Sequence, residues 1–283
     1  MKKSDFLWNE LIYGGHWGSL SSSSIALSVM VVLNLPIHLD FLLIVYLGCQ
    51  CIYTYNHYRE IDSDSLSGSR RAQFLGSHRK IQQFLPVVYG FLFIFLLIFY
   101  QSWIVLLFGI ILLSVGLLFT FRAKSYSQTI VGFKSIYASF AWSLLVPFTV
   151  LYVKSSVTIS VLIIGVFVFL RFIIDTSFFD IKDMESDELR KLKTFVLYFG
   201  KERCLTLLHY INLLSISPII FGVFFQFLPK FSLFLFFIVF YDMYYIERAR
   251  NEKIDIQSLS YIVVDGEYYY WPLLLFLGMI FGT

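Results

Sequence analysis

The chain has 283 residues, of which 58% are hydrophobic and 14% are charged, and its mean hydropathy is +0.74. A soluble domain carries about 25% charged residues, so this composition excludes an ordinary soluble protein and indicates an integral membrane protein. The formal net charge of +3 is too small to indicate a nucleic-acid partner, and we expect none.

Apolar stretches long enough to cross a bilayer recur along the chain. A membrane-spanning helix needs about 20 mainly apolar residues, and somewhat fewer where helices pack closely. The candidates are residues 19–36, 39–56, 84–101, 103–121, 135–153, 157–175, 204–227, 231–247 and 269–282. They predict an all-α integral membrane protein with nine transmembrane helices in a single domain over residues 1–283. Residues 4–13 have the composition of an amphipathic helix lying on the membrane surface.

Positively charged residues divide unevenly between the two ends of these helices. With nine spans, all Lys and Arg residues except Lys154 and Lys230 fall on the side of the N-terminus. Cytoplasmic segments of membrane proteins carry such an excess of positive charge. The distribution predicts a plasma-membrane protein whose N-terminus and two long loops, about 57–83 and 176–203, lie in the cytoplasm.

Two acid-rich stretches interrupt the apolar chain, one near the start of each long loop. The first has Asn56, Glu60 and Asp64 at i, i+4 and i+8, and the second has Asp180, Asp183 and Asp187 at i, i+3 and i+7. Each trio can line one face of a helix. Carboxylates near hydrocarbon are costly enough to indicate function.

The residue types in these stretches favour a site for a metal ion and a diphosphate. Mg²⁺ prefers hard oxygen ligands and is usually held by one or two carboxylates together with substrate phosphates. Asn56 would add an amide oxygen without adding repulsion. Basic side chains nearby could bind phosphate oxygens directly. These are Arg59, Arg70, Arg122, Lys124, Lys134 and Lys182.

The aromatic content suits chemistry at an allylic carbon. Departure of diphosphate from such a carbon leaves a carbocation, which aromatic faces stabilise. A metal ion and basic side chains stabilise the charge on the leaving group. Phe, Tyr and Trp make up 20% of the chain, enough to line such a pocket.

The acidic trios resemble the two motifs of the UbiA-type intramembrane prenyltransferases. The first motif of that family, Asn-x3-Asp-x3-Asp after helix 2, corresponds to residues 56–64, and the second, after helix 6, corresponds to residues 180–187. Many members also have Tyr-Ser followed by Lys after helix 4, which is similar to Tyr126, Ser127 and Lys134 here.

The resemblance implies nine transmembrane helices around a central cavity that cytoplasmic loops cap. It implies Mg²⁺-dependent transfer of a prenyl group from a polyprenyl diphosphate to an unidentified lipophilic or aromatic acceptor. Asp64, Asp183 and Asp187 are the expected catalytic residues, and both trios are the expected metal ligands. The expected diphosphate contacts are Asn56, Arg59, Arg70, Tyr126, Ser127, Lys134 and Lys182.

Several departures from the family pattern indicate a divergent member. Glu60 stands where Asp is usual, and Val196 stands where Pro is common in a segment, 193–200, that otherwise keeps the family frame. The Asn-x-Arg pattern that often follows the first motif is absent. An Arg that often precedes helix 1 is also absent, and His16 and Trp17 occupy that region. The acceptor therefore need not be the aromatic acid familiar in the family.

Three alternatives remain open from the sequence. A terpene cyclase of the same fold would capture the carbocation within the substrate. A cation-coupled transporter would use intramembrane acids as an ion pathway, although the acids here cluster at one mouth. A non-catalytic scaffold would leave the repeated acid spacing unexplained.

Other polar residues have more than one interpretation. His57 is either an ordinary loop histidine or a phosphate ligand, and Asp175 either caps a helix or binds a ligand. Asp242 is expected to hydrogen-bond within the bundle or face the acceptor, and His209 to hydrogen-bond within the bundle. Asp265 is expected to belong to a turn with a polar anchor.

Overall fold

Helices make up the fold, and no β-strand occurs among the residues that the computed structural model describes, 3–66, 68–100, 102–120 and 124–282. The helices of the first half are α1 (Lys3–Tyr13), α2 (His16–Val32), α3 (Leu39–Leu66), α4 (Arg70–Ser77), α5 (Arg79–Tyr100), α6 (Trp103–Leu118), α7 (Lys124–Tyr126), α8 (Phe133–Ser143) and α9 (Leu145–Tyr152). Those of the second half are α10 (Ile159–Lys182), α11 (Met184–Leu189), α12 (Phe195–Phe199), α13 (Lys201–Ser215), α14 (Ser217–Phe224), α15 (Ile238–Arg250), α16 (Ile256–Ser258) and α17 (Tyr270–Phe281). Tighter 3₁₀ turns cover Lys230–Phe237 and Glu267–Tyr269, and a wider π turn covers Leu259–Val264.

The described part of each predicted apolar stretch lies mainly on one helix or on two consecutive helical segments. Among the described residues, four helical stretches have both the length and the hydropathy of a membrane span. They are Arg79–Tyr100, Phe133–Tyr152, Ile159–Lys182 and Lys201–Phe224. The prediction of an all-helical chain with membrane-type helices is therefore confirmed, while the count of nine spans stays a prediction.

Prolines explain two of the helix interruptions. Pro147 lies in the first turn of α9, just after the break from α8, and Pro218 lies in the first turn of α14, just after the break from α13. Proline has no backbone N–H and is tolerated mainly in the first turn of a helix. The two apolar stretches that contain these prolines therefore each form two short helices instead of one long helix.

The acid-rich stretches lie on helix ends, where loops were predicted. α3 has 28 residues, about 42 Å at 1.5 Å per residue, whereas a hydrocarbon core is about 30 Å thick. The helix is thus longer than a hydrocarbon core is thick, and the first acidic trio lies in its C-terminal half. α10 ends at Lys182, Asp183 caps it, and α11 follows directly. Both trios thus stand at the same end of two long helices.

Two apolar clusters hold these helices in place. The larger cluster packs α2, α3, α9, α10 and α17 around rings such as Phe41, Phe148 and Trp271. The smaller cluster packs α10 against α13 and α15 through Phe178, Leu205 and Tyr245, among others. The space that remains between α3 and α10 is the cavity described below.

The outer face of α5 is apolar and unpaired within the chain. Phe91, Phe95 and Phe99 are exposed, and their rings stack along the helix at centroid distances of 6.1 and 6.2 Å. In the most apolar part of this helix, 17% of the residues are buried. Such a face is expected against lipid acyl chains.

Gly132 provides a test of the fold beside the site. Its φ is +69°, and a Cβ there would lie 2.2 Å from Phe195 Cζ, so we expect Gly132→Ala to destabilise the protein by at least about 1–2 kcal/mol. The matched control is Gly165→Ala on α10, where a Cβ would meet nothing within 4 Å. Ala is the better helix former by about 1 kcal/mol, so the control should keep or raise the unfolding temperature. Equal thermal unfolding midpoints for the two variants in detergent would contradict this account.

Candidate active site

An elongated cavity of about 340 Å³ lies between α3 and α10, and α2, α6, α8 and α9 are among the other helices that line it. Along α3 its lining extends from Val45 to Asp64, about 29 Å at the helical rise. Apolar side chains such as Leu145 and Phe148 line one end, and the acidic trios line the other. The cavity therefore suits an amphiphilic ligand that has a long apolar part and a charged end.

Asn56, Glu60 and Asp64 form the α3 row, and Asp180, Asp183 and Asp187 form the second row, on α10–α11. The first side chain of the α3 row is Asn56. Its Nδ2 donates to the carbonyl oxygen of Gly116 at 3.1 Å, and its Oδ1 accepts from the Thr120 hydroxyl at 2.5 Å. A carbonyl oxygen has two lone pairs, so Oδ1 keeps capacity for a second partner in the cavity.

The two acids of the α3 row are each paired with a cation. Glu60 forms an ion pair with Lys124 and lies 3.4 Å from Arg190 Nη1, and Arg190 also pairs with Asp64. Burial, together with the like charge of Glu60, raises the pKa of Asp64 despite Arg190. The row is therefore a costly arrangement of like charges that basic residues stabilise.

The second row is held by Lys134. Its Nζ lies 2.8 Å from Asp180 Oδ1 and 2.8 Å from Asp187 Oδ2. The Ser135 hydroxyl also donates to Asp180 Oδ2 at 3.0 Å. Asp180 and Asp187 are almost fully buried, so this bridge compensates two carboxylates that water does not reach.

Asp183 lies between these two residues and has a different partner. Lys182 Nζ lies 2.5 Å from Asp183 Oδ1. Burial opposes ionisation of Asp183, but Lys182 and Lys134 outweigh it and hold the pKa of this carboxyl below its usual value. Asp183 is therefore ionised at neutral pH.

One segment, residues 124–134, supplies a cation to each row. Lys124 at its start reaches Glu60, and Lys134 at its end reaches the second row. Backbone hydrogen bonds fix this segment against Lys193, which donates to Ser127 O at 2.6 Å and accepts from Gly132 N at 2.7 Å. The two rows are thus joined by a short, anchored segment.

Arg71 enters the cavity from α4. The Ser69 hydroxyl caps α4 by accepting a hydrogen bond from the Ala72 N–H at 3.3 Å. This start places Arg71 on the same face as the buried Phe74 and Leu75. Arg71 thus lines the cavity although it is not one of the predicted site residues.

Four predicted diphosphate contacts, Arg59, Arg70, Tyr126 and Ser127, do not line the cavity. Arg59 is exposed, and Arg70 pairs with Asp255 at 2.6 Å on the surface, because it is one residue away from the inward face of α4. Tyr126 is 55% exposed. Ser127 is buried outside the cavity, where its carbonyl oxygen accepts a hydrogen bond from the backbone N–H of Lys193. The predicted contacts Asn56, Lys134 and Lys182 do line it. Arg122 lies outside the described residues.

The residues with several interpretations have defined surroundings. His57 and Asp175 line the cavity, and Asp175 accepts hydrogen bonds from the hydroxyls of Tyr245 and Tyr268. Asp242 pairs with Arg171 in the bundle instead of facing the cavity. His209 forms the expected bundle contact, at 2.7 Å from Glu247. Asp265 lines the cavity.

Two basic residues of the mouth, Arg71 and Arg190, were missed. Arg190 follows Asp187 by three residues, a spacing at which helical side chains meet, and this was the available signal. For Arg71 the signal was its spacing of three and four residues from Phe74 and Leu75. Both signals become informative only once the helix starts are known.

The donor atoms suit Mg²⁺ shared with a substrate. Asp187 Oδ1 is buried and has no hydrogen-bond partner among the described residues. Within the same residues, no three His, Cys, Asp or Glu side chains are close enough to hold a metal ion alone. Mg²⁺ keeps several waters and commonly takes one or two carboxylates plus substrate phosphates. Two facing half-sites of oxygen donors fit that requirement.

Lys134 can be tested by removing its charge. In Lys134→Met, Asp180 and Asp187 lose their shared cation, and breaking a buried pair costs about 3–5 kcal/mol. We expect a lower unfolding temperature, and a larger rise on adding Mg²⁺ than in the unmodified protein because the ion restores positive charge. The control Lys253→Met alters an exposed lysine and should change neither quantity. An unchanged midpoint for Lys134→Met would show that the bridge does not stabilise the fold.

Solved structures of known proteins share this arrangement of helices. A UbiA homologue from Aeropyrum pernix K1 superposes with a TM-score of 0.67 at 12% identity, over 93% of this chain and 96% of that chain. A UbiA homologue from Archaeoglobus fulgidus bound to GPP and Mg²⁺ superposes with a TM-score of 0.67 at 13% identity, over 96% of this chain and 99% of that chain. A digeranylgeranylglyceryl phosphate synthase superposes with a TM-score of 0.60 at 16% identity, over 99% of both chains.

At these identities, the structural likeness shows a common fold and nothing finer. No curated protein matches the sequence significantly. The sequence profile of the UbiA prenyltransferase family, however, matches residues 17–281. The resemblance carried by the acidic motifs is thereby confirmed, and the chain belongs to the UbiA prenyltransferase family.

Proposed function

We propose that this membrane protein transfers a prenyl group from a polyprenyl diphosphate to a lipophilic or aromatic acceptor in a Mg²⁺-dependent reaction. The observation that carries the proposal is the pair of carboxylate rows, on α3 and on α10–α11, that face each other at one end of a mainly apolar cavity. The family supports it, and so does the Archaeoglobus fulgidus homologue, which binds GPP and Mg²⁺.

The six oxygen-donor side chains of the two rows are the proposed metal ligands. They are Asn56, Glu60, Asp64, Asp180, Asp183 and Asp187. Among them we propose Asp64, Asp183 and Asp187 as the residues most needed for turnover. Bound Mg²⁺ would neutralise the diphosphate and stabilise the charge that develops on it as the carbon–oxygen bond breaks.

The basic residues of the mouth have a second task in this proposal. Lys124, Lys134, Lys182 and Arg190 compensate the carboxylates in the present arrangement. Carboxylates engaged with a metal no longer need these partners, so the cations become available to donate to phosphate oxygens. The same side chains therefore stabilise the site before substrate binds and bind the leaving group afterwards.

Aromatic side chains line the wall beyond the acidic rows. Phe172 stacks on Trp142 at 4.7 Å and on Tyr268 at 4.9 Å between ring centroids, and all three line the cavity. Their faces would stabilise the allylic cation left by diphosphate departure. The apolar end of the cavity would hold the prenyl chain and exclude water.

We further propose the arrangement of the chain in the membrane. It would form a single domain of nine transmembrane helices in the plasma membrane, with the N-terminus and both acidic rows at the cytoplasmic face. The positive-charge distribution supports this orientation, and so does the position of both trios at the same end of α3 and α10.

The assignment is tested by removing single metal ligands. Asp64→Asn and Asp183→Asn should each reduce turnover of farnesyl or geranylgeranyl diphosphate by about a hundredfold or more, the scale for losing one stabilising group at a developing charge. The matched control is Glu185→Gln, which neutralises an exposed acid of the same stretch and should keep the activity. Release of labelled product by the purified protein, with Mg²⁺ and a lipid extract as the source of acceptor, is the measurement. Full activity in either Asn variant would refute the proposal.

The products also separate the transferase from the cyclase. The transferase should consume prenyl diphosphate rapidly only when acceptor is added, because the carbocation otherwise has no nucleophile except water. Mass spectrometry of reactions without acceptor should show unchanged substrate or slow hydrolysis. A cyclised hydrocarbon or alcohol there would identify the protein as a cyclase of the same fold.

A further inference from the structure

Arg171 lies at the centre of a buried polar network that joins α10 to α13, α15 and the turn at Glu267. Its Nη1 donates to Asn212 Oδ1 at 2.7 Å and to Ser215 Oγ at 3.3 Å. Its Nε and Nη2 donate to Glu267 Oε1 at 3.1 and 2.7 Å, and Nη2 also pairs with Asp242 Oδ2. None of these five residues lines the cavity, so the network is separate from the candidate active site.

The network contains two acids and one base. Arg171, Asp242 and Glu267 are all 0% exposed, and no other Lys or Arg of the described residues pairs with either acid. Asp175 lies near enough to act on Asp242 as a further like charge. With both acids ionised, the network would have a net negative charge inside the bundle, and an uncompensated buried charge is strongly unfavourable.

The oxygen atoms of the two acids also have too few donors. Glu267 Oε1 accepts from Arg171 and from Trp271 Nε1 at 3.1 Å, whereas Glu267 Oε2 and Asp242 Oδ1 have no hydrogen-bond partner in the described part of the chain. Asp242 Oδ2 shares the Arg171 Nη2 with Glu267 Oε1. Buried polar atoms are almost always satisfied, so a donor is missing between the two carboxyl groups.

A proton on one carboxyl group supplies both the missing charge and the missing donor. The side chains of Asp242 and Glu267 lie within hydrogen-bonding reach of each other, so an O–H on one can donate to the other. Two adjacent carboxyl groups commonly hold one proton between them, because both cannot ionise. A metal ion suits the network less well, because the guanidinium already occupies these oxygens and no three His, Cys, Asp or Glu side chains of the described residues could hold one.

We propose that Asp242 and Glu267 form a proton-binding site, in which the two carboxyl groups share one proton beside Arg171. One guanidinium, one carboxylate and one neutral acid then sum to zero charge, as the interior of a membrane bundle requires. The proton lets α10 be joined to α15 and to the turn at Glu267 without a buried net charge. The site lies outside the cavity and is independent of the proposed function.

Infrared difference spectroscopy of the purified protein in detergent detects such a proton directly. A protonated carboxyl group has a C=O stretching band that a carboxylate lacks. Asp242→Asn and Glu267→Gln should each remove one such band at neutral pH, because the remaining acid ionises beside Arg171 and accepts from the new amide. The matched control Glu185→Gln removes an exposed acid and should leave these bands unchanged. Retention of every protonated-carboxyl band in both single variants would overturn the site.

Thermal unfolding provides a second measurement. Each single variant keeps the network neutral and replaces a carboxyl group by an amide of similar shape, so its midpoint should stay within about 4 °C of the unmodified protein. The double variant Asp242→Asn/Glu267→Gln leaves Arg171 buried without an anion, and its midpoint should fall further than that of either single variant. Losses in both single variants as large as in the double variant would show that both acids are needed as charges, against a shared proton.

The unmodified protein separates the proton from a metal cation without any substitution. Its unfolding midpoint should be the same in NaCl and in choline chloride at equal concentration, because a shared proton leaves no place for Na⁺. A midpoint that is higher in NaCl, with the difference abolished by Glu267→Gln, would assign the two acids to a sodium site and overturn the proposal.

Discussion

Compensation of carboxylates that are withdrawn from water is the constraint on which this structure depends. An isolated buried carboxylate is unfavourable by several kcal/mol, and a cation in good geometry offsets that cost. The chain applies the same arrangement twice. Lys134 bridges Asp180 and Asp187 at the mouth of the cavity, and Arg171 bridges Asp242 and Glu267 inside the bundle.

The two bridges act together through α10. Arg171 and Asp180 belong to that helix, and Arg171 also donates to Asn212 of α13 at 2.7 Å. The inner bridge therefore fixes α10 against α13, α15 and the turn at Glu267. With α10 fixed there, its C-terminal end presents Asp180 and Asp183 at a set distance from the α3 row. The position of the carboxylates at the mouth thus depends on an ion-pair network whose residues, Arg171, Asp242 and Glu267, do not line the cavity.

Helical periodicity made part of this site predictable from sequence. Asn56, Glu60 and Asp64 recur every four residues, so any helix through them puts all three on one face, and α3 does so. The choice between Arg70 and Arg71 was not predictable in the same way, because it depends on where Ser69 starts α4. Family likeness also favoured Tyr126 as a diphosphate contact, but the orientation of a residue in a three-residue helix follows from tertiary contacts that no local pattern records.

The unbroken length of α3 has a consequence for substrate size. The same rigid helix carries the acids at the mouth and the apolar wall at Val45, Gly48 and Ile52. Each helical turn adds about 5.4 Å. Successive turns of α3 therefore line the cavity at successively greater depth from its acidic end. A Cβ on Gly48 would lie 2.8 Å from the Phe93 ring, so this glycine lets α5 pack closely against α3 beside the wall. Under the proposed function, α3 would limit the length of the prenyl chain, and a larger residue on its inner face would shorten the chain that fits.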